Sequence, residues 1–305
     1  MMNLSGVQNR ESLLLDATAL YAAILGARPS QGARSPKLWN AAFEGLGVSA
    51  RMHPMDVNSE DLSEIVAELK RDPRFIGGAI TTPHKQAILP YLDDMEEEAR
   101  LIGAVNALYR KDGKLVGANT DGAAAIKSLE SHVGSLAGKT VLLLGLGGAG
   151  QAVGIYLARA LGSAGTLLVA NRTQETANVF AQKSSKLCPT TVVTWPIQEE
   201  TLTQADIIVN ATTMGFQGSG QEDLSPIESL TMSRLQPDTW VFDLIYQPPE
   251  TPLLRLARAH GAQTLNGKEM NLEQAVMAFE KTLQGIGIPT SQTINSLMQT
   301  ASQLL

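Results

Sequence analysis

The chain has 305 residues, 44% of them hydrophobic and 18% charged, with 30 acidic against 24 basic side chains and a formal net charge of −6. That is length for two ordinary domains with the composition of a globular protein, and an acidic balance without a basic cluster argues against a nucleic-acid binder. A single cysteine, Cys188, rules out an intrachain disulfide and suits a reducing cytoplasm; no apolar run reaches the length of a membrane span, and four scattered histidines (His53, His84, His132, His260) lack ligand spacing, so no metal is expected.

The polar MMNLSGVQNRES and the apolar LLLDATALYAAILGA, broken by Asp16, read as an N-terminal arm followed by a strand rather than as a signal core. Thr18–Leu25 is the expected strand. Ser35-Pro36 then opens a helix, with Ser35 as N-cap and Pro36 at the first helical position; Leu38, Ala42, Phe43 and Leu46 form its apolar face. RMHPMDV is a weak strand, demoted by Pro54. In SEDLSEIVAELKR the spacing of Leu62, Ile65, Val66 and Leu69 predicts an amphipathic helix. FIGGAITT is the next strand, followed at once by Pro83, His84 and Lys85. Helical material is expected through Gly103, with Asp93 to Glu98 as a solvated helix face and His84 as a turn residue. VNALYR and LVGAN read as a hairpin around Asp112-Gly113, and TDGAAAIKSLESHV as the following helix.

A second α/β unit starts near Gly138. VLLLG is the continuous apolar run of a parallel strand buried on both faces. Strands follow at TLLVAN, TVVTW, DIIVNAT and WVFDLIY, with helices between several of them. TPLLRLARAHGA is a helix starting at a Thr-Pro cap, and NLEQAVMAFEKTLQG and TSQTINSLMQTASQLL are two last helices. Cys188, with no histidine nearby in sequence, reads as structural.

Gly145, Gly147, Gly148, Ala149 and Gly150 lie in GLGGAG, a G-x-G-x-x-G pattern between an apolar strand and the helix QAVGIYLARALG. In that context the glycines allow a tight turn and close approach of a pyrophosphate to the positive end of a helix. The next strand ends in Asn171-Arg172-Thr173, with no acid until Glu175. An acid there would hold a ribose 2′-hydroxyl, whereas an arginine suits a 2′-phosphate, so NADP is expected over NAD, which stays possible. A nicotinamide enzyme that oxidises an alcohol needs a proton acceptor. Lys85 at the mouth of a strand could serve, with Asp121 of NTDG as its orienting carboxylate. Each also reads as an ordinary residue, a solvated loop lysine and a helix N-cap, and the residues alone leave both readings open.

ITTPHK, GAVN, NTDG, GLGGAG, NRT, NATTMG, DLIYQPPETPLL and NGKEMNLEQA occur here in the same order as in the shikimate dehydrogenase family, which the chain resembles from about Thr18 nearly to its end. The resemblance implies a two-domain α/β fold: residues 1–120, completed by 268–305, as an α/β substrate domain, and 121–267 as a Rossmann-like NADP domain, with the active site in the cleft between them. It implies Lys85 as the catalytic lysine and Asp121 as its partner. It implies Ser35, Thr81, Asn106, Tyr246 and Gln274 as holders of the ring hydroxyls and carboxylate of shikimate, and Gly267 and the backbone near Leu244 as neighbours of the nicotinamide. The expected ligands are a small cyclic hydroxy acid and NADP. The expected activity is NADP-dependent interconversion of 3-dehydroshikimate and shikimate, or oxidation of a relative such as quinate or an aminoshikimate, in a cytoplasmic monomer or homodimer with no nucleic acid or membrane. Where the family has Ser-x-Ser-Pro, this chain has Ala33-Arg34-Ser35-Pro36, in a loop one residue longer. Arg34 then either meets the substrate carboxylate or points to solvent. Ala79 replaces a usual Asn, Asn271 a usual Leu, and Thr176 a second basic residue. These departures bear on substrate and cofactor preference. The competing class is a non-catalytic NADP-binding protein, against which Lys85, Asp121, Asn106, Tyr246 and Gln274 speak.

Overall fold

The computed structural model describes residues 4–13, 19–290 and 293–304. Thr18 of the expected first strand, and Ser291 and Gln292 at the head of the expected last helix, lie outside them. The chain divides into two compact units, Met1–Thr120 with Leu272–Leu305, and Asp121–Asn271.

The first unit contains β1 (Leu20–Gly26), α1 (Ser35–Gly45), β2 (Ala50–Asp56), α2 (Leu62–Arg71), β3 (Phe75–Ile80), α3 (His84–Ala87), β4 (Asp94–Met95), α4 (Glu97–Ile102), β5 (Ala107–Lys111) and β6 (Lys114–Ala118). Its sheet runs β2-β1-β3-β5-β6-β4. β1, β2 and β3 are parallel, and β5 runs antiparallel to both β3 and β6. The β5–β6 turn is the expected Asp112-Gly113, both at positive φ (50° and 76°), the backbone that a tight two-residue hairpin loop demands.

The acidic run is not one helix face. Asp93 pairs with Lys70 and accepts from the Leu115 amide, Asp94 lies in β4, and Glu96 accepts from Tyr109 and Lys281. Ser35 is the first residue of α1, and Arg34 occupies the N-cap position without a side-chain cap.

β2 is a full seven-residue strand, and its place at the sheet edge explains why Pro54 is tolerated. Its outward backbone is taken up by side chains. Asn40 exchanges two hydrogen bonds with Met52, donating to the carbonyl (3.2 Å) and accepting from the amide (2.7 Å). Asn9 of the arm donates to the Pro54 carbonyl (2.9 Å) and accepts from the Asp56 amide (2.8 Å), while Gln8 N donates to Asp56 O. Val7 is buried in the core on that side, with Tyr21, Met55, Val57 and Ile65.

The second unit begins with α5 (Asp121–Val133) and β7 (Thr140–Leu144). It continues through α6 (Gly148–Leu161), β8 (Thr166–Ala170), α7 (Gln174–Ser184), β9 (Thr190–Val192), α8 (Glu199–Leu202), β10 (Ile207–Asn210), α9 (Ser229–Met232), β11 (Trp240–Asp243), α10 (Pro252–Ala259) and β12 (Gln263–Asn266). Its sheet is parallel throughout, in the order β12-β11-β10-β7-β8-β9. That is the doubly wound Rossmann order, and its winding reverses between β7 and β10, the place where such sheets receive ligands beyond their C-terminal ends. β12 has no counterpart in the sequence expectations. Thr251 caps α10 as expected, accepting from the Leu254 amide at 3.3 Å.

α11 (Lys268–Gly285) starts in the second unit and passes into the first, where α12 (Thr293–Gln303) follows. Apolar packing holds the end of the chain there. Trp39 and Phe43 of α1 meet Phe279 of α11 at ring-centroid distances of 5.1 and 4.8 Å, and Trp39 Nε1 donates to Ala275 O. Ile294 and Met298 of α12 belong to the same core.

Candidate functional site

In the second unit the chain turns from β7 into α6 through GLGGAG, and each glycine has its own reason. Gly145, at φ +86°, sits where a Cβ would lie 2.8 Å from Thr212, and a Cβ on Gly150 would lie 2.1 Å from the Gly145 carbonyl. These two positions need glycine for the fold itself. Gly147 and Gly148 differ: a Cβ there would meet nothing within 4 Å, and both are exposed with Ala149 at the start of α6. The space beside the helix amides is the cradle a pyrophosphate requires, so the loop fits a dinucleotide. Asn171 braces it from β8, accepting from the Leu146 amide at 2.9 Å and donating to Thr173 O at 3.0 Å. Its side chain is thus engaged in holding the loop. Arg172 and Thr173 follow it, both exposed, and Arg172 has no ion pair among the described residues.

At the ends of β11 and β12, Leu244 and Gly267 come together: a Cβ on Gly267 would lie 1.9 Å from the Leu244 carbonyl, and Gly267 N donates to Ile245 O at 3.0 Å. Tyr246, half-buried, is two residues along from Leu244. Next to them is a group that sequence reasoning missed. The carboxylate of Asp243 is fully buried, accepting from Asn210 Nδ2 (3.0 Å), the Ile245 amide (3.1 Å) and the Thr251 hydroxyl (2.6 Å). Burial pushes its pKa from the ordinary 3.8 up to about 6, against the pull of those three hydrogen bonds. The signal was available in the motifs NATTMG and DLIYQPPETP, which carry all three polar side chains, although spacing alone does not pair residues 33 apart.

In the first unit Lys85 lies in α3 directly beyond β3. His84, expected at a turn, is instead wholly buried, with Nε2 donating to the Val57 carbonyl (2.8 Å). It anchors the short helix and leaves Lys85 half-buried beside it, with the Lys85 carbonyl accepting from Val105 N at 2.8 Å. Asn106 and Gln274 are brought together, 168 residues apart in sequence, with Nδ2 of Asn106 3.4 Å from Oε1 of Gln274. Thr120, also missed, completes the cluster: its amide donates to Asn106 Oδ1 (2.7 Å) and its hydroxyl to Gln274 O (3.0 Å). Thr81 packs on Gly26, where a Cβ would lie 2.3 Å from its methyl group, and its amide donates to Leu25 O. The Ser35 hydroxyl makes no hydrogen bond among the described residues.

The Arg34 guanidinium donates to the Ser302 hydroxyl on α12 at 2.8 Å and so is not simply directed into solvent. Ala79 is buried in the apolar core, and Ala33 packs at its margin. Asp121, in the second unit, is buried at the first turn of α5. Among the described residues no group of His, Cys, Asp or Glu could hold a metal ion, and no helix is long and apolar enough to cross a membrane.

Residues 25–108 match the family model described as the shikimate dehydrogenase substrate binding domain, and residues 127–231 match the model for shikimate / quinate 5-dehydrogenase. A shikimate dehydrogenase (NADP(+)) of Alkaliphilus oremlandii is 36% identical over 273 residues, covering 88% of this chain and 92% of that protein. Among solved structures, a shikimate dehydrogenase in complex with NADP+ superposes with a TM-score of 0.81 at 30% identity, covering 95% of this chain and 96% of the other. The ligand-free 5-ketofructose reductase of a Gluconobacter strain gives 0.80 at 31% identity, covering 95% and 100%. Both halves of the family are matched in order, over most of the length of each partner, and the chain belongs to the shikimate dehydrogenase family.

Proposed function

We propose that the protein is an NADP-dependent oxidoreductase that interconverts 3-dehydroshikimate and shikimate, or a close cyclic analogue. The observation that carries this reading is the GLGGAG loop, filled where the fold needs contact and open where a pyrophosphate would approach. Arg172, without an ion pair among the described residues and exposed beside Thr173, suits the 2′-phosphate that separates NADP from NAD.

NADP held by the GLGGAG loop and Arg172 would supply the hydride acceptor for the carbon that bears the reacting hydroxyl. Lys85 takes the hydroxyl proton, and Asp121 orients it. Asn106 and Gln274, pre-aligned through Thr120, meet ring hydroxyls, and Ser35, Thr81 and Tyr246 contribute further hydroxyl groups to substrate binding. Leu244 and Gly267 supply a wall made of backbone for the nicotinamide, closed because Gly267 has no side chain to keep the Leu244 carbonyl away. The protein acts in the cytoplasm, as its single cysteine suits.

A second substrate reading has a specific basis: Ala33 and Ala79 stand where the family carries polar side chains, and part of the Arg34 guanidinium is engaged by Ser302. The test is absorbance at roughly 340 nm, the band of the reduced nicotinamide, with shikimate, quinate and the alcohol of 5-ketofructose, each with NADP and with NAD, and with 5-ketofructose and the reduced cofactors. Turnover of a cyclic hydroxy acid with NADP is the expected result. Cofactor binding without turnover of any of them would make the protein a non-catalytic relative.

A further inference from the structure

Asp243 is not among the groups that meet substrate or cofactor in the reading above, yet it ties their supports together. One carboxylate joins β10 through Asn210, the exit of β11 through the Ile245 amide, and α10 through Thr251, whose hydroxyl also caps that helix. Asn210 extends the network, its Oδ1 accepting from both the amide (2.9 Å) and the hydroxyl (2.8 Å) of Thr212. The segment so fixed is Leu244 to Tyr246. Leu244 N donates to Asn210 O at 2.9 Å, and Ile245 O accepts from Gly267 N.

We propose that Asp243 is a positioning residue for hydride transfer: acting through Asn210, Ile245 and Thr251, its ionised carboxylate holds the Leu244–Tyr246 segment, and through it Gly267, in the arrangement that receives the reactants. The proposal rests on the dehydrogenase reading.

Among the described residues no charged side chain acts on the carboxylate, whose neighbours are Thr251, Ile245 and Asn210. β10 presents Asn210 to it, α10 presents Thr251, its own loop presents the Ile245 amide, and β12 places Asn266 beside it in register. Hydrogen bonds to an ionised acceptor are stronger than those to a neutral one, so taking up a proton loosens the segment. The same proton favours folding. The folded pKa of about 6 lies above the ordinary 3.8, so the folded state binds more protons in that interval and stability from this group rises as pH falls through 6. Activity and stability therefore move in opposite directions across this window, which a merely structural carboxylate would not produce.

The experiment compares the full-length wild type, Asp243→Asn and Thr251→Val with NADP and the best hydroxy acid of the panel, from about pH 5 to about pH 9, with thermal melts at each pH. In the wild type kcat should fall below about pH 6 with no matching fall in Tm. Asp243→Asn should lower kcat about 10–100-fold, as displacements of an ångström do, with KM within about threefold and the inflection near pH 6 gone. Thr251→Val removes a hydrogen bond to the ionised form, so its limb should move to higher pH. If Asp243→Asn does not fold, the position of the Thr251→Val limb decides. Wild-type kcat with an unchanged limb in Asp243→Asn, or an unmoved limb in Thr251→Val, overturns the proposal. A wild type that turns over nothing removes the dehydrogenase reading and the proposal together, whereas an active wild type with indifferent variants removes the proposal alone.

Discussion

Replacing Gly147 by alanine adds one methyl group at the N-cap of α6. The backbone there, φ −67° and ψ −172°, is extended and open to any residue, and the added carbon would have no neighbour within 4 Å. Folding is therefore spared, and restricting the unfolded chain adds about 0.4–1 kcal/mol of stability. For a unit of this size that is a rise of about 1–4 °C in Tm. The same methyl group occupies the space through which a pyrophosphate oxygen reaches the helix amides. Losing one hydrogen bond to a charged group costs about 1.5–3 kcal/mol, which weakens NADP binding about 10–150-fold. Thermal melts and fluorescence titration with NADPH read the two effects separately, and they should carry opposite signs. Gly150→Ala is the counter-case: its Cβ would lie 2.1 Å from the Gly145 carbonyl, so stability itself should drop by about 1–3 kcal/mol. NADP affinity within about twofold of wild type in a folded Gly147→Ala protein would refute the cradle.

Lys85→Ala should lower kcat about 10²–10⁴-fold and change KM far less, with Asp121→Asn behaving alike; steady-state kinetics with turnover near normal would take either residue out of the mechanism. Arg172→Ala should weaken NADP in binding titrations and leave NAD nearly untouched, and equal wild-type affinity for the two cofactors would contradict that role. Ala33→Ser should raise kcat/KM on shikimate by up to about 10–150-fold if the missing hydroxyl limits carboxylate binding. Ala79→Asn, by contrast, buries an amide in the core with Ile24, Ile76 and Ala107 and should cost about 1–3 kcal/mol in chemical denaturation, whatever it does to substrate.

Local pattern made much of this molecule legible. The four apolar positions of α2 are all buried, the Asp112-Gly113 hairpin forms where its turn residues stand, and the glycine loop lies between the strand and helix that its spacing requires. What local pattern could not reveal depends on partners far along the chain. β12 reads QTLN, a short, half-exposed edge strand whose only strand signal is its pairing with β11. His84 follows a proline and looks like part of a turn, but Val57 offers it a carbonyl. Arg34 is claimed by Ser302, 268 residues away, and Asp243 by Asn210 and Thr251. Those pairings are set by the packing of β10, α10 and α12, so a motif match names the residues involved without showing what each side chain is holding.

The two asparagines that hydrogen-bond to the outer edge of β2 bear on how this protein meets copies of itself. An exposed parallel edge offers a row of amides and carbonyls to any strand that approaches, the usual seed of domain swapping and fibrous growth. Here Asn40 and Asn9 each present a side-chain amide that mimics a peptide unit, and Pro54 offers no N–H at all, so a visiting strand finds the outward groups from Met52 to Asp56 already answered. Half of that shield is supplied by the arm before β1. Shortening the chain past Asn9 would leave the groups proposed for binding and proton transfer in place while uncovering Pro54 O and the Asp56 amide. Such a protein should self-associate in sedimentation experiments at concentrations where the full chain does not. A fusion or trimming strategy at this end of the chain would therefore act on solution behaviour rather than on chemistry.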